Sequence, residues 1–267
     1  MNNDYRDWGK LNPNANTEPI QDDFQGYQSN YGNTGSGTFS NGISGIISEA
    51  SEALQQKVVA QSFIFMVAAL AVTWVGAKVA SAALLEWMMS SPVNMIILFV
   101  AEIAIVLISN VALKKNNVVL SACLFTAYSF INGAMLGIVC SIYTDASVAK
   151  VIVITGITFA VTALYGLVAK KDLSSVGSLC IMGLIGLILV GLINFFVKSE
   201  PLDYLASFIG VAVFVGLTAY DTQKIKKHVA YADSYNVTAL SLNGAFELYL
   251  DFINLFLYLL KIFGKRR

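Results

Sequence analysis

Glu102, Asp221, Glu247 and Asp251 are carboxylates in apolar surroundings. Glu102 sits near the middle of one long hydrophobic run and Asp251 near the middle of another. Glu247 precedes Asp251 by four residues, which puts both on one helical face. Asp221 closes a further run, or lies one turn inside it if that helix continues through Ile225. The other acidic residues after the N-terminal tail, Glu86, Asp145, Asp172, Glu200, Asp203 and Asp233, fall in connections or at run edges. A bare carboxylate at mid-membrane costs at least about 2.5–3.5 kcal/mol. No basic residue occupies the centre of a run, so internal ion pairing is expected to be scarce. Protonation, hydrogen bonds, water or a bound cation must then offset the cost. Two carboxylates brought together in low dielectric repel, so one keeps a proton and the pair titrates as a unit. Calcium favours a cluster of oxygens and competes with that proton. One reading makes these groups protonated acids that knit helices together. The other makes them a cation or proton site that senses pH and gates a cation path, the default for intramembrane ionisable groups.

The elements that must carry them are apolar helices. Of 267 residues, 56% are hydrophobic and 13% charged, with a mean hydropathy of +0.66. Soluble domains carry roughly 25% charge, and a globule of this size cannot hide so much apolar surface. Seven runs follow Lys57: Val58–Ala77, Val93–Leu113, Val118–Ile138, Val148–Ala169, Val176–Val197, Leu202–Tyr220 and Leu242–Phe263. Most reach the roughly 18–20 residues that span a bilayer as a helix. Helices satisfy their own backbone in lipid, and the runs lack the alternation of a β-barrel. The expected fold is an all-α integral membrane protein, a bundle of seven transmembrane helices over residues 58–267. Residues 1–57 are rich in Asn, Gly, Ser and Gln and read as a flexible polar tail, with a short helix over Ile43–Gln56.

Lysines set an orientation. Lys114 and Lys115, Lys170 and Lys171, and Lys224, Lys226 and Lys227 follow the second, fourth and sixth runs, against Lys78, Lys150 and Lys198 in the alternate connections. The positive-inside rule makes the first set and the N-terminus cytoplasmic. Seven crossings put Lys265, Arg266 and Arg267 outside; six crossings plus a re-entrant or buried seventh helix keep them inside. The sequence leaves both open. Ser129, Gly133, Gly137 and Ser141 form a small-residue ladder on one face of the third run, suited to close helix approach within the chain or in a dimer. Cys123, Cys140 and Cys180 read as small buried hydrophobes without metal-like spacing. The balance of 17 basic and 17 acidic residues argues against nucleic-acid binding. An enzyme is not expected: His228 is the sole histidine and lies in a polar loop, and no serine- or zinc-protease motif is present. No tightly bound cofactor is expected.

Two segments carry a resemblance. Run six ends in Gly216-Leu217-Thr218-Ala219-Tyr220-Asp221-Thr222-Gln223, and run seven contains Leu250-Asp251-Phe252-Ile253-Asn254-Leu255-Phe256. Together with the seven-run layout and Glu102, they resemble the Bax inhibitor-1 (transmembrane Bax inhibitor motif) family over residues 58–267, and a bacterial member in particular. The resemblance implies a seven-helix bundle with the last helix central, in the cell inner (plasma) membrane. It implies a pH-sensitive calcium leak channel whose paired aspartates fall on Asp221 and Asp251, with Glu102 as the second-helix acid. Calcium and protons, besides the lipid bilayer, would be its partners, and Asp221 and Asp251 its candidate calcium ligands. A basic partner of the aspartates, usually arginine, falls on Lys114 or Lys115, where lysine loses the planar fork. Glu247 departs from the small or neutral residue expected there. The competing function is a regulator that binds another membrane protein, such as a membrane-bound protease. Deleting residues 1–57 would damage a tail-mediated regulator and spare a channel, and neutralising Asp221 and Asp251 would do the reverse.

Overall fold

The computed structural model describes residues 36–79, 86–87, 90–115, 117–228 and 236–267. Seven long helices appear among them: α1 Ser36–Val79, α2 Pro92–Lys114, α3 Val118–Ser141, α4 Asp145–Val168, α5 Ser174–Val197, α6 Glu200–His228 and α7 Val237–Phe263. No strand is present among the described residues; an isolated bridge joins Tyr143 to Arg266. Five helices have a stretch long and apolar enough to cross a membrane: Ser51–Val79, Val118–Ser141, Asp145–Val168, Ser174–Val197 and Glu200–Lys227. The chain divides into two units, residues 1–49 and 50–267, and the packing described below belongs to the second.

Helix ends follow from local chemistry. Pro92 opens α2, where a missing N–H removes no helical bond. Asn117 caps α3 by accepting from Leu120 N at 3.1 Å, and Asn236 caps α7 by accepting from Thr238 N at 2.9 Å. Asp145 stands in the first turn of α4, and Glu200 and Asp203 in that of α6, where carboxylates suit the helix dipole. Helix α5 stops where Lys198 turns left-handed at φ 54°. Its N–H bonds Asn194 O at 2.7 Å, while Asn194 Oδ1 accepts from Ser199 N at 2.8 Å.

Three boundaries differ from those read in the sequence. Helix α1 begins at Ser36, so residues 36–57 are helical and the Ile43–Gln56 stretch lies inside it; residues 1–35 fall outside the described residues. Helix α6 runs on through the polar segment after Tyr220 to His228, and α7 starts at Val237 rather than Leu242. The extension of α6 has partners. Thr222 Oγ1 donates to Thr218 O at 2.7 Å, and Gln223 is buried against the α4–α5 connection. Gln223 Oε1 accepts from Leu173 N at 2.9 Å, while Nε2 donates to Lys171 O at 2.9 Å and Ala169 O at 3.2 Å.

The core gathers on α7. It buries fourteen of its residues, Tyr249, Leu248, Leu255 and Leu260 among the most enclosed, and packs on α6, α4, α3 and α2. Helix α5 buries three and leaves Leu179, Met182, Ile188 and Leu192 about 60% exposed. A wholly apolar outer helix of this kind needs lipid around it. The small-residue ladder on α3 serves packing within the chain. A Cβ on Gly133 would stand 2.1 Å from Thr73 O, and one on Gly137 2.7 Å from Ala77 O, so α1 and α3 touch backbone to backbone. Cys180 is buried, but Cys123 is exposed on the outer surface, and all three cysteines are free.

Candidate functional site

Helices α6 and α7 bring three of the four carboxylates together. Asp221 lies about two turns before α6 ends, and Glu247 and Asp251 lie about three and four turns into α7. The antiparallel pair therefore sets Glu247 beside Asp221 and places Asp251 one turn deeper, opposite Thr218. The depth match comes from the extended α6. Asp251 is only 3% exposed, and its electrostatic neighbours are Asp221, Glu247 and Lys224, beside the Thr218 hydroxyl, which donates to Phe214 O at 2.8 Å. Asp251 Oδ2 and Glu247 Oε2 are buried without a hydrogen-bond partner.

The basic partner is one the sequence reading left in a loop. Lys224 belongs to α6, one turn past Asp221. Its ammonium is 2.6 Å from Glu247 Oε1 and 3.8 Å from Asp221 Oδ1. Asn243 Nδ2 also donates to Glu247 Oε1, at 3.3 Å. Ion pairing inside the bundle is thus present at the cluster, contrary to the expectation that it would be scarce. The missed signal was spacing: Asp221 and Lys224 stand three residues apart, a helical contact once α6 is extended. Lys115 is exposed in the α2–α3 connection, and the side chain of Lys114 lies outside those described, as does that of His228.

Glu102 stands apart from the other three. Its electrostatic neighbours are Tyr128 on α3 and Tyr249 on α7. Those tyrosines pack edge to face at 5.9 Å between ring centres. Tyr249 OH shares a 2.7 Å hydrogen bond with Thr73 Oγ1, and Asn132 Nδ2 donates to Tyr128 OH at 3.2 Å. Glu102 Oε1 is buried with no partner. The four acids therefore form one cluster of three and one separate group.

At the rim, Lys227 Nζ lies 2.7 Å from Asp172 Oδ1, which also accepts from Ser174 N at 3.0 Å and Ser174 Oγ at 2.7 Å. The hydrogen bond from Lys227, then those from Ser174, hold the Asp172 carboxyl below the usual carboxylate range. Among the described residues no group of three or more His, Cys, Asp or Glu side chains is tight enough to enclose a metal ion. A cavity of about 600 Å³ opens between α1, α3, α4 and α7, lined by Thr73, Gly137, Phe252 and Arg267 and by none of the four acids.

Relatives match about two thirds to three quarters of the chain. The inner membrane protein YbhL of Escherichia coli (strain K12) is 43% identical over 199 residues, covering 73% of this chain and 84% of its own. An uncharacterized protein of Rickettsia prowazekii is 42% identical over 172 residues, covering 64% and 73%. One of Caulobacter vibrioides is 36% identical over 179 residues, covering 66% and 71%. The family model described as inhibitor of apoptosis-promoting Bax1 matches residues 55–267, from within α1 through the buried acids of α6 and α7 to the C-terminus. With that match and these apolar helices, the chain belongs to the Bax inhibitor-1 family of membrane proteins.

Proposed function

We propose that the protein is a pH-sensitive calcium leak channel of the inner membrane, in which Asp221 and Asp251 share a proton and control a cation path. The observation that carries this reading is Asp251: 3% exposed, facing Asp221, with Oδ2 unpartnered. A buried carboxylate without a partner is strongly unfavourable unless it holds a proton or meets a cation. The cluster offers oxygens from Asp221, Glu247 and Asp251, the hard ligands calcium prefers. Three carboxylates do not complete the six to eight oxygens of a tight calcium site, so water must supply the rest. That suits passage better than storage. A proton on the pair reduces the negative charge a calcium ion meets, which couples flux to pH.

The burial of α7 supports a seven-helix bundle wrapped around its last helix, and the lysine-rich connections support a cytoplasmic N-terminus. Glu102 gives the bundle a second buried acid that a cation or proton can visit. Transport without a catalytic step or bound cofactor accounts for the arrangement.

The test is flux. The full chain in liposomes loaded with a calcium dye is stepped in external pH, as wild type and as Asp221→Asn/Asp251→Asn. The expected result is a pH-dependent calcium leak in the wild type and a flattened pH response in the double variant. A folded, inserted wild type that never exceeds empty liposomes at any pH sinks the proposal.

A further inference from the structure

We propose that Lys224 is a tethered counter-cation of the carboxylate cluster: its ammonium holds the place between Asp221 and Glu247 that a mobile cation takes, and calcium enters by displacing it. The inference rests on the reading of the cluster as a cation path, and adds the residue that sets the cluster's affinity.

Charge comes first. Asp221, Glu247 and Asp251 carry up to three negative charges, and Lys224 supplies one positive charge against them. Its Nζ lies between two of the three, at 2.6 Å from Glu247 Oε1 and 3.8 Å from Asp221 Oδ1. The other oxygen of Glu247 and the deeper oxygen of Asp251 remain buried and unpaired, so one ammonium does not satisfy the cluster. A divalent ion answers more of that charge. It cannot share the position with an ammonium, because like charges at this separation in a partly buried site repel strongly.

The lysine can leave. A four-carbon stem with rotatable donors swings more freely than a planar guanidinium. The Lys224 side chain is 27% exposed, so a route toward the lysine-rich end of the bundle is open. Its neighbours there are already engaged: Lys227 pairs with Asp172, and Lys226 Nζ donates to Leu167 O at 3.3 Å. Lys224 alone among these three points back to the acids. Glu247 then has a specific role, since it is the anchor that draws the ammonium across from α6 to α7.

Removing this lysine should tighten calcium binding, which makes the idea testable by a gain rather than a loss. Equilibrium binding of isotopic calcium to the full chain in lipid nanodiscs is compared for wild type, Lys224→Gln, Lys224→Arg and Asp251→Asn. The expected result is calcium binding about fivefold or more tighter in Lys224→Gln, no tighter than wild type in Lys224→Arg, and lost in Asp251→Asn. If Asp251→Asn loses binding while Lys224→Gln binds no tighter than wild type, the tether is overturned and the carboxylate path stands. If neither wild type nor Lys224→Gln binds calcium while helix content is intact, both fall. A second measurement needs no variant. Acetylation of Lys224 in the wild-type chain, read by mass spectrometry, should rise when calcium is added. A rate that calcium leaves unchanged or lowers overturns the proposal whatever the variants do.

Discussion

Gln223 shows how one side chain fixes the site's frame. It is 5% exposed and joins α6 to the α4–α5 connection by three hydrogen bonds, with Leu173 N, Lys171 O and Ala169 O. Asp221, two residues earlier, inherits its position from that bridge. Replacing Gln223 by Ala leaves the buried Leu173 N–H without its acceptor, which costs about 1–3 kcal/mol, and removes a donor from the half-buried Ala169 and exposed Lys171 carbonyls. Thermal unfolding of Gln223→Ala in detergent should show that loss, together with a weakened response to pH in the flux assay. Wild-type stability in the variant would mean the bridge contributes nothing. The acids of the candidate site were legible in the sequence as far as their types are concerned. A buried acid in an apolar run announces itself by its solvation penalty. What the sequence hid was pairing. Lys224 sits in a stretch of Asp, Thr, Gln and Lys whose hydropathy reads as a loop, and its contact with Glu247 crosses between helices.

Helix boundaries were lost for the same reason at the next scale. Hydropathy marks where a helix meets lipid, not where it ends. Helix α6 outlasts its apolar run because Thr222, Gln223 and Lys224 each find a partner. A close helix contact on this face of α3 was readable, since a ladder of small residues exists to let backbones approach. Its partner was not readable, because any apolar helix could have supplied the other face. The structure names it: Gly133 lies against the Thr73 backbone. Gly133→Val should therefore force α1 away from α3 and destabilise the protein by about 1–3 kcal/mol or more, as overpacking does. It should also disturb the Thr73–Tyr249 hydrogen bond near Glu102. Gly156→Ala is the control: nothing stands within 4 Å of its Cβ position, and alanine favours a helix by up to about 1 kcal/mol. Equal thermal midpoints for Gly133→Val and wild type would contradict the close approach.

At the scale of the whole bundle, the question is which end holds the C-terminus, and a small set of contacts bears on it. Lys265 O accepts from Thr144 N at 2.9 Å, and Arg267 N donates to Ile142 O at 3.0 Å. The Arg267 guanidinium lies 2.7 Å from Asp145. The chain's last residues are thereby tied to the α3–α4 connection. The α2–α3, α4–α5 and α6–α7 connections, with their lysines, belong to the opposite helix ends. Seven crossings would place the two sets on opposite faces of a membrane, and six crossings with a re-entrant seventh would not. The prediction is a labelling pattern. In a chain whose native cysteines are replaced, Lys171→Cys and Arg266→Cys are each exposed positions. A membrane-impermeant thiol reagent applied to oriented vesicles should modify one and spare the other, and inverting the vesicles should exchange them. The lysine-rich side, carrying Lys171, should be the one that faces the cytoplasm. Modification of both from the same side would rule out seven crossings.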